Sequence, residues 1–122
     1  MVFVHGWGGS SRYWESTATA LSSHFDCLLY DLRGFGRSNQ LPKEIAEHSS
    51  YELETYAEDL EELLKALDLR KIYLNAHSAG ASIATFFLNL YPERVEQAIL
   101  TCSGIFQYDE KAFAAFHQFG GY

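Results

Sequence analysis

Apolar positions along this chain fall into short runs that alternate with segments of helical period. Met1-Val2-Phe3-Val4 is one such run, and it empties into His5-Gly6-Trp7-Gly8-Gly9-Ser10, as a buried strand does into a glycine-rich turn. Ser10 or Ser11 can cap a first helix that carries Trp14, Ala18 and Leu21 on one face. Residues 25–30 predict a second strand, closed by Asp31-Leu32-Arg33-Gly34-Phe35-Gly36-Arg37-Ser38, and a polar loop with Pro42 runs on to Ser49. Ser49 and Glu52 have the spacing of a capping box. Behind them Leu53, Tyr56, Ala57, Leu60, Leu63, Leu64 and Leu67 predict the clearest helix. Residues 71–75 read as a third strand and 79–91 as a third helix, which Pro92 stops by forcing Tyr91 out of helical geometry. Residues 95–102 are the fourth strand; 105–122 are aromatic and carry no assignment. Strand and helix alternate with connections long enough for crossovers, which predicts an α/β fold: about four parallel strands with helices on both faces.

Composition narrows the field. With 122 residues, 48% apolar and 20% charged, the chain is one globular domain at most, large enough for its own core. A net charge of −7 argues against a nucleic-acid partner, which needs clustered Lys and Arg. Glu52, Glu54, Glu58, Asp59, Glu61 and Glu62 read as the solvated face of the helix. No apolar run reaches the roughly 18–20 residues of a membrane span, and no basic segment precedes an apolar one as in a signal peptide. Cys27 and Cys102 lack metal-ligand spacing and read as buried free thiols of a reducing cytoplasm. The expectation is a cytoplasmic protein without metal, cofactor, membrane or nucleic-acid partner.

The chemistry is concentrated in Ala76-His77-Ser78-Ala79-Gly80, where the third strand meets the third helix. A serine with very small second neighbours at such a junction has the spacing of a nucleophile elbow, a turn so tight that it pushes Oγ out at the C-terminal edge of the sheet. Taken alone, Ser78 is better explained as a serine capping the next helix, because such short strings are common by chance. The loop at 5–10, the turn at 31–38 and the Tyr91-Pro92-Glu93-Arg94-Val95 link shift the balance.

Together these segments resemble the α/β-hydrolase superfamily, over residues 1 to about 104. The resemblance implies that Ser78 is the nucleophile and that the backbone N–H groups of Trp7 and Ala79 form the oxyanion hole. His5, Gly6, Ala76, His77 and Gly80 support the loop and the elbow. The elbow opens with Ala76 where glycine is commoner, a small departure because the position asks for smallness. The larger departure is what is missing. In this family an acid and then a histidine follow the nucleophile at a distance, yet downstream of Ser78 stand only His117 and the acids Glu93, Glu96, Asp109 and Glu110. Only 44 residues follow Ser78, against members of about 250 residues. The resemblance therefore implies the central slab of a hydrolase cut at both ends, with 1–104 a partial core and 105–122 the start of a lid or cap.

It also implies the strand order second, first, third, fourth, with Cys27 and Cys102 on the outer strands about 14 Å apart at roughly 4.8 Å per strand, too far for a disulfide. Those outer strands would be unpaired edges, open to a second copy or a complementing chain. The parent reaction would be hydrolysis of a small acyl substrate: an ester, thioester, lactone or activated carbon–carbon bond. The rival reading is a non-catalytic fragment or interaction module. Little esterase activity is expected of the isolated chain.

Other candidates read more plainly. His77 is a packing residue, because successive residues in a tight turn point apart. His5 orders its own loop, His24 and His48 lie on the surface, and Asp31 bonds its own glycine turn. Gly6-x-Gly8 lacks the third glycine of a dinucleotide fingerprint, and Phe86-Phe87 belongs to the core.

Overall fold

The computed structural model describes residues 1–39 and 52–103. Strands β1 (Val2–Val4), β2 (Leu28–Leu29), β3 (Ile72–His77) and β4 (Val95–Thr101) form one sheet in the order β2-β1-β3-β4, every pair parallel. This is the order and sense the resemblance implied. Strand alternation sends neighbouring side chains to opposite faces, and the register aligns Val2 with Leu74 and Val4 with Ala76. On that face lie helices α2 (Leu53–Ala66) and α3 (Ala79–Leu90), whose Tyr56, Leu60, Leu64, Ile83 and Phe87 are buried against the four strand residues. Full burial of one such side chain is worth roughly 1.5–3 kcal/mol. Phe3 points the other way and meets Trp14 and Ala18, at a 3₁₀ turn (Ser11–Trp14) and the short helix α1 (Glu15–Leu21). Helices cover both faces, as expected.

Chain punctuation acts largely as read. Ser10 Oγ accepts the Arg12 N–H at 3.3 Å. Tyr91 leaves helical geometry at φ −134°, ψ 56°, so that α3 ends at Leu90, two residues before Pro92. Three readings need correction. Helix α2 opens at Leu53 with Glu52 extended at its N-cap, so Glu52 is not the third residue of a helix begun at Ser49, which itself lies outside the described residues. Glu61 does not belong to a solvated face. It falls on the buried side of α2 between Ala57 and Leu64, 5% exposed, where Arg94 Nη2 donates to it at 2.7 Å. Its neighbour Asp59 is gripped by both Nε and Nη2 of Arg33. Cys27 is only half-buried and Cys102 is exposed, since one precedes β2 and the other follows β4 rather than lying within a strand; both are free thiols.

The two outer strands differ in length. β2 has two residues, whereas β4 has seven, and Glu96, Gln97, Ala98 and Ile99 in its middle are exposed. Among the described residues no helix is long and apolar enough to cross a membrane.

Candidate active site

β1 and β3 run side by side and end at the same rim, so their C-terminal loops are neighbours by construction of the sheet. β3 ends at His77, α3 begins at Ala79, and Ser78 makes the whole turn between them at φ 57°, ψ −121°. A non-glycine residue at positive φ is uncommon and costs on the order of 1–3 kcal/mol, held only where surroundings enforce it. Here the Ser78 N–H donates to Thr101 O at the end of β4 (2.9 Å), and Ser78 O accepts from the Ala81 N–H (2.9 Å). The bend is thus pinned on one side to the sheet and on the other to the first turn of α3. Ser78 is exposed. Ala79 is the first residue of α3, and its N–H can have no partner within the helix, at the positive end of the helix dipole.

The β1 loop lies against this bend. A methyl group placed on Gly6 would sit 3.4 Å from both Ser78 Cβ and His77 O. Behind Gly6 the chain turns at once, with the Gly9 N–H donating to Gly6 O at 3.1 Å. Trp7 is at the tip of that turn, 39% exposed, with its ring edge-on to Phe35 at 4.7 Å and to Tyr56 at 6.5 Å. Gly80 has no room for a side chain at all: a Cβ there would lie 2.5 Å from His5 O and 2.6 Å from Val4 O. Ala76, its counterpart on the strand side, is fully buried in the core.

Among the described residues, the two histidines nearest Ser78 are both engaged. His5 is fully buried; its Nδ1 lies 2.8 Å from Gly6 O, and its Nε2 accepts the Leu32 N–H at 2.9 Å. An acceptor at Nε2 places the proton on Nδ1, which fixes the neutral tautomer. Burial lowers the His5 pKa below its ordinary value, against the raising effects of the Gly6 carbonyl and Asp31. His5 therefore ties its own loop, at Gly6 O, to the next loop, at the Leu32 N–H. His77 stacks on Tyr13 at 4.9 Å and 22° between planes, in keeping with a packing role. Nothing in the sequence marks Tyr13 for this place, since 64 residues separate the two rings.

Asp31 is a structural residue too. Burial raises its carboxyl, but the backbone N–H groups of Ser11 (2.7 Å) and Arg37 (3.0 Å), with the Arg37 guanidinium (3.0 Å), outweigh burial and hold it well below the usual carboxylate range. His24 is exposed; His48 and His117 lie outside the described residues, as does the segment read as a lid. Among the described residues no three His, Cys, Asp or Glu stand together as metal ligands. A groove of about 780 Å³ runs along the outer edge of β2, lined by residues such as Leu29, Tyr30, Leu63 and Leu67. None of its lining residues belongs to the bend or the β1 loop, so its size gives it no claim on the chemistry at Ser78.

A family model described as alpha/beta hydrolase fold matches residues 1–121. The chain belongs to the alpha/beta hydrolase family. Similar proteins include a non-heme chloroperoxidase of Streptomyces lividans, 32% identical over 102 residues that make up 82% of this chain and 35% of that protein. A putative carbamate hydrolase of Agrobacterium fabrum is 33% identical over 101 residues, 82% of this chain and 36% of the other. Among solved structures, an esterase from a marine microorganism superposes with a TM-score of 0.80 at 28% identity, over 93% of this chain and 42% of that one. The chain spans about a third of the length of the curated relatives it matches. Within the alpha/beta hydrolase frame, β1 and its loop, the turn after β2, and the β3–α3 bend are the three segments the sequence singled out.

Proposed function

We propose that this chain carries the nucleophile and oxyanion-binding half of a serine-type alpha/beta hydrolase acting on small acyl substrates. The observation that carries the reading is the conformation of Ser78, a positive-φ serine alone between a parallel strand and a helix N-terminus. In this reading Ser78 Oγ attacks the acyl carbon, and the N–H groups of Ala79 and Trp7 receive the oxyanion. One such donor in a preorganised site is worth roughly 3–4 kcal/mol of barrier. The leaving group departs as the tetrahedral species collapses to an acyl-enzyme, which water then hydrolyses. Ester, thioester, lactone and activated carbon–carbon substrates all fit this sequence of steps, and the family's chemical breadth leaves the acyl group to the test.

The proton on Ser78 needs a base. His5 has both ring nitrogens engaged and is buried, and His77 is stacked on Tyr13. We assign the base and its orienting acid to residues that are not among these 122. Turnover of a nitrophenyl ester by the 122-residue chain is accordingly expected to stay close to that of a Ser78→Ala control. Labelling by a fluorophosphonate tests the site more directly, because the oxyanion donors also stabilise phosphonylation. Selective modification of Ser78 over the other serines, lost in Ser78→Ala, is expected; labelling spread evenly over the serines would overturn the assignment.

A second reading is favoured by β4, whose four central residues are exposed. It makes the chain an interaction module whose free strand edge pairs with another chain. Size-exclusion chromatography with light scattering across a hundredfold range in concentration, about 2 log units of mass action, separates a self-pairing edge from a monomeric one.

A further inference from the structure

The turn at 31–38 touches the β1 loop at its beginning, its tip and its end, although the two segments are separated by a helix in sequence. At the beginning, the Leu32 N–H donates to His5 Nε2 at 2.9 Å. At the tip, the Phe35 ring lies edge-on to Trp7 at 4.7 Å and to His5 at 5.9 Å. At the end, Asp31 Oδ1 accepts the Ser11 N–H at 2.7 Å. We propose that this turn is the frame that sets the position of the oxyanion-binding loop, with Phe35 as the positioning residue for Trp7. The inference rests on the reading of Trp7 as an oxyanion donor only for its catalytic consequence; the mechanical claim stands on the three contacts.

A frame must be stiffer than what it holds, and the turn is closed on itself several times. The Phe35 N–H donates to Leu32 O (2.9 Å), the Ser38 N–H to Phe35 O (2.8 Å) and the Gly34 N–H to Ser38 O (3.0 Å). Asp31 Oδ2 takes the backbone N–H and the guanidinium of Arg37, both at 3.0 Å. The carboxylate fills the space above Gly36, where a Cβ would lie 2.5 Å from Asp31 Cγ at a backbone φ of +52°. The turn is in turn bolted to the core: Tyr56 Oη on α2 donates to Arg33 O at 2.9 Å, and Arg33 binds Asp59 of the same helix through two nitrogens. Position thus passes from the packed helix α2, through Arg33 and the closed turn, to the loop tip beside Ser78. The β1 loop itself is rich in glycine and has one internal backbone bond, Gly9 to Gly6, so its tip takes its place from its neighbours.

Hydrogen exchange at the loop amides, read by NMR on the whole chain, decides the matter. Phe35→Ala is expected to speed exchange at the Gly9 amide, whose bond to Gly6 O closes the loop behind Trp7, by about tenfold, the worth of one aromatic contact, while the α2 and α3 amides keep their rates. Phe35→Tyr, which keeps the ring, is expected to restore wild-type exchange. Asp31→Asn covers the case in which Phe35→Ala does not fold: it should speed exchange at the Ser11 amide relative to wild type while the α2 and α3 amides keep their rates. Equal exchange at Gly9 in wild type and Phe35→Ala, or uniform acceleration over the whole chain, overturns the proposal. Fluorophosphonate labelling adds the catalytic arm: Phe35→Ala should lower the limiting labelling rate without changing probe affinity. A wild-type chain that is not labelled at Ser78 would remove the hydrolase reading and leave the exchange result to decide the frame.

Discussion

On the strand side of the Ser78 bend stands Ala76, and on the helix side Gly80. Both are second neighbours of the serine and both are small, yet the fold uses their smallness differently. Ala76 is an ordinary core position: its register partners are Val4 on β1 and Leu100 on β4, and its methyl is packed among apolar neighbours. Gly80 is a backbone crossing. Helix α3 leaves the bend directly over the end of β1, so close that the carbonyl oxygens of Val4 and His5 occupy the space where any Cβ would go. A motif written as small–x–Ser–x–small therefore joins two separate requirements. One concerns fit inside a sheet, and the other concerns how near a helix may come to a neighbouring strand.

The largest effect should follow from breaking the helix side. Gly80→Ala places a carbon 2.5 Å from a fixed carbonyl oxygen rather than from a pliable side chain. Either α3 or β1 must shift, and overpacking of this kind costs about 3 kcal/mol or more. Urea unfolding would register it as a lower midpoint, and a loss below about 1 kcal/mol would mean that α3 has slack which the contact distances deny. The bend itself gives the next effect, with opposite sign. Ser78→Gly removes the Cβ that opposes φ 57°, ψ −121° and should raise stability by about 1–2 kcal/mol. Ser78→Ala keeps the Cβ and should leave that strain in place, so the difference between the two variants isolates it.

How much of this is legible in the sequence depends on how local the cause is. The strands, the end of α3 before Pro92 and the sharp bend at Ser78 follow from patterns within a few residues of each other. The sheet order followed from the resemblance, since hydrophobic pattern alone says which segments are strands and nothing of their neighbours. Glu61 was misread because six acids in one stretch look like a solvated face. The short bond to that buried carboxylate, 2.7 Å, comes from Arg94, 33 residues away and brought near the Ala57–Leu64 side of α2 by the β3–α3–β4 crossover, while Lys65 on the same helix stands off at 3.9 Å. Tyr13 against His77 and Phe35 against Trp7 were invisible for the same reason, although an aromatic ring between Gly34 and Gly36 in a turn was a hint that something nearby needed it.

The strand side offers a milder test. Ala76→Gly deletes one buried methyl and adds backbone freedom to a central strand, which together amount to about 1.5 kcal/mol. The comparison predicts that glycine here, the commoner residue at this motif position, lowers the unfolding midpoint rather than raising it. A gain in stability would show that Ala76 is strained in the same way as its partner across the bend.

The smallest effect is graded with pH and concerns the residue that both sides share. His5 gives its carbonyl oxygen to the crossing with Gly80, and its ring ties the β1 loop to Leu32. Because burial lowers its pKa in the folded chain, the unfolded chain binds the extra proton first as pH falls. The His5 contribution is therefore intact above an unfolded pKa of about 6.5 and is lost as pH falls through the lower folded value. For one proton taken up by the unfolded state alone, the loss between neutral pH and pH 6 cannot exceed about 0.8 kcal/mol. Asp31 does not contaminate this window, since its donors keep it ionised far below it. Urea midpoints at pH 7.5 and pH 6, compared between wild type and His5→Gln, isolate the term: wild type should lose stability on acidification by more than the variant. Identical pH dependence in the two would mean that the imidazole is already solvated or charged, and that the Leu32 N–H bond does not hold the loop in its place.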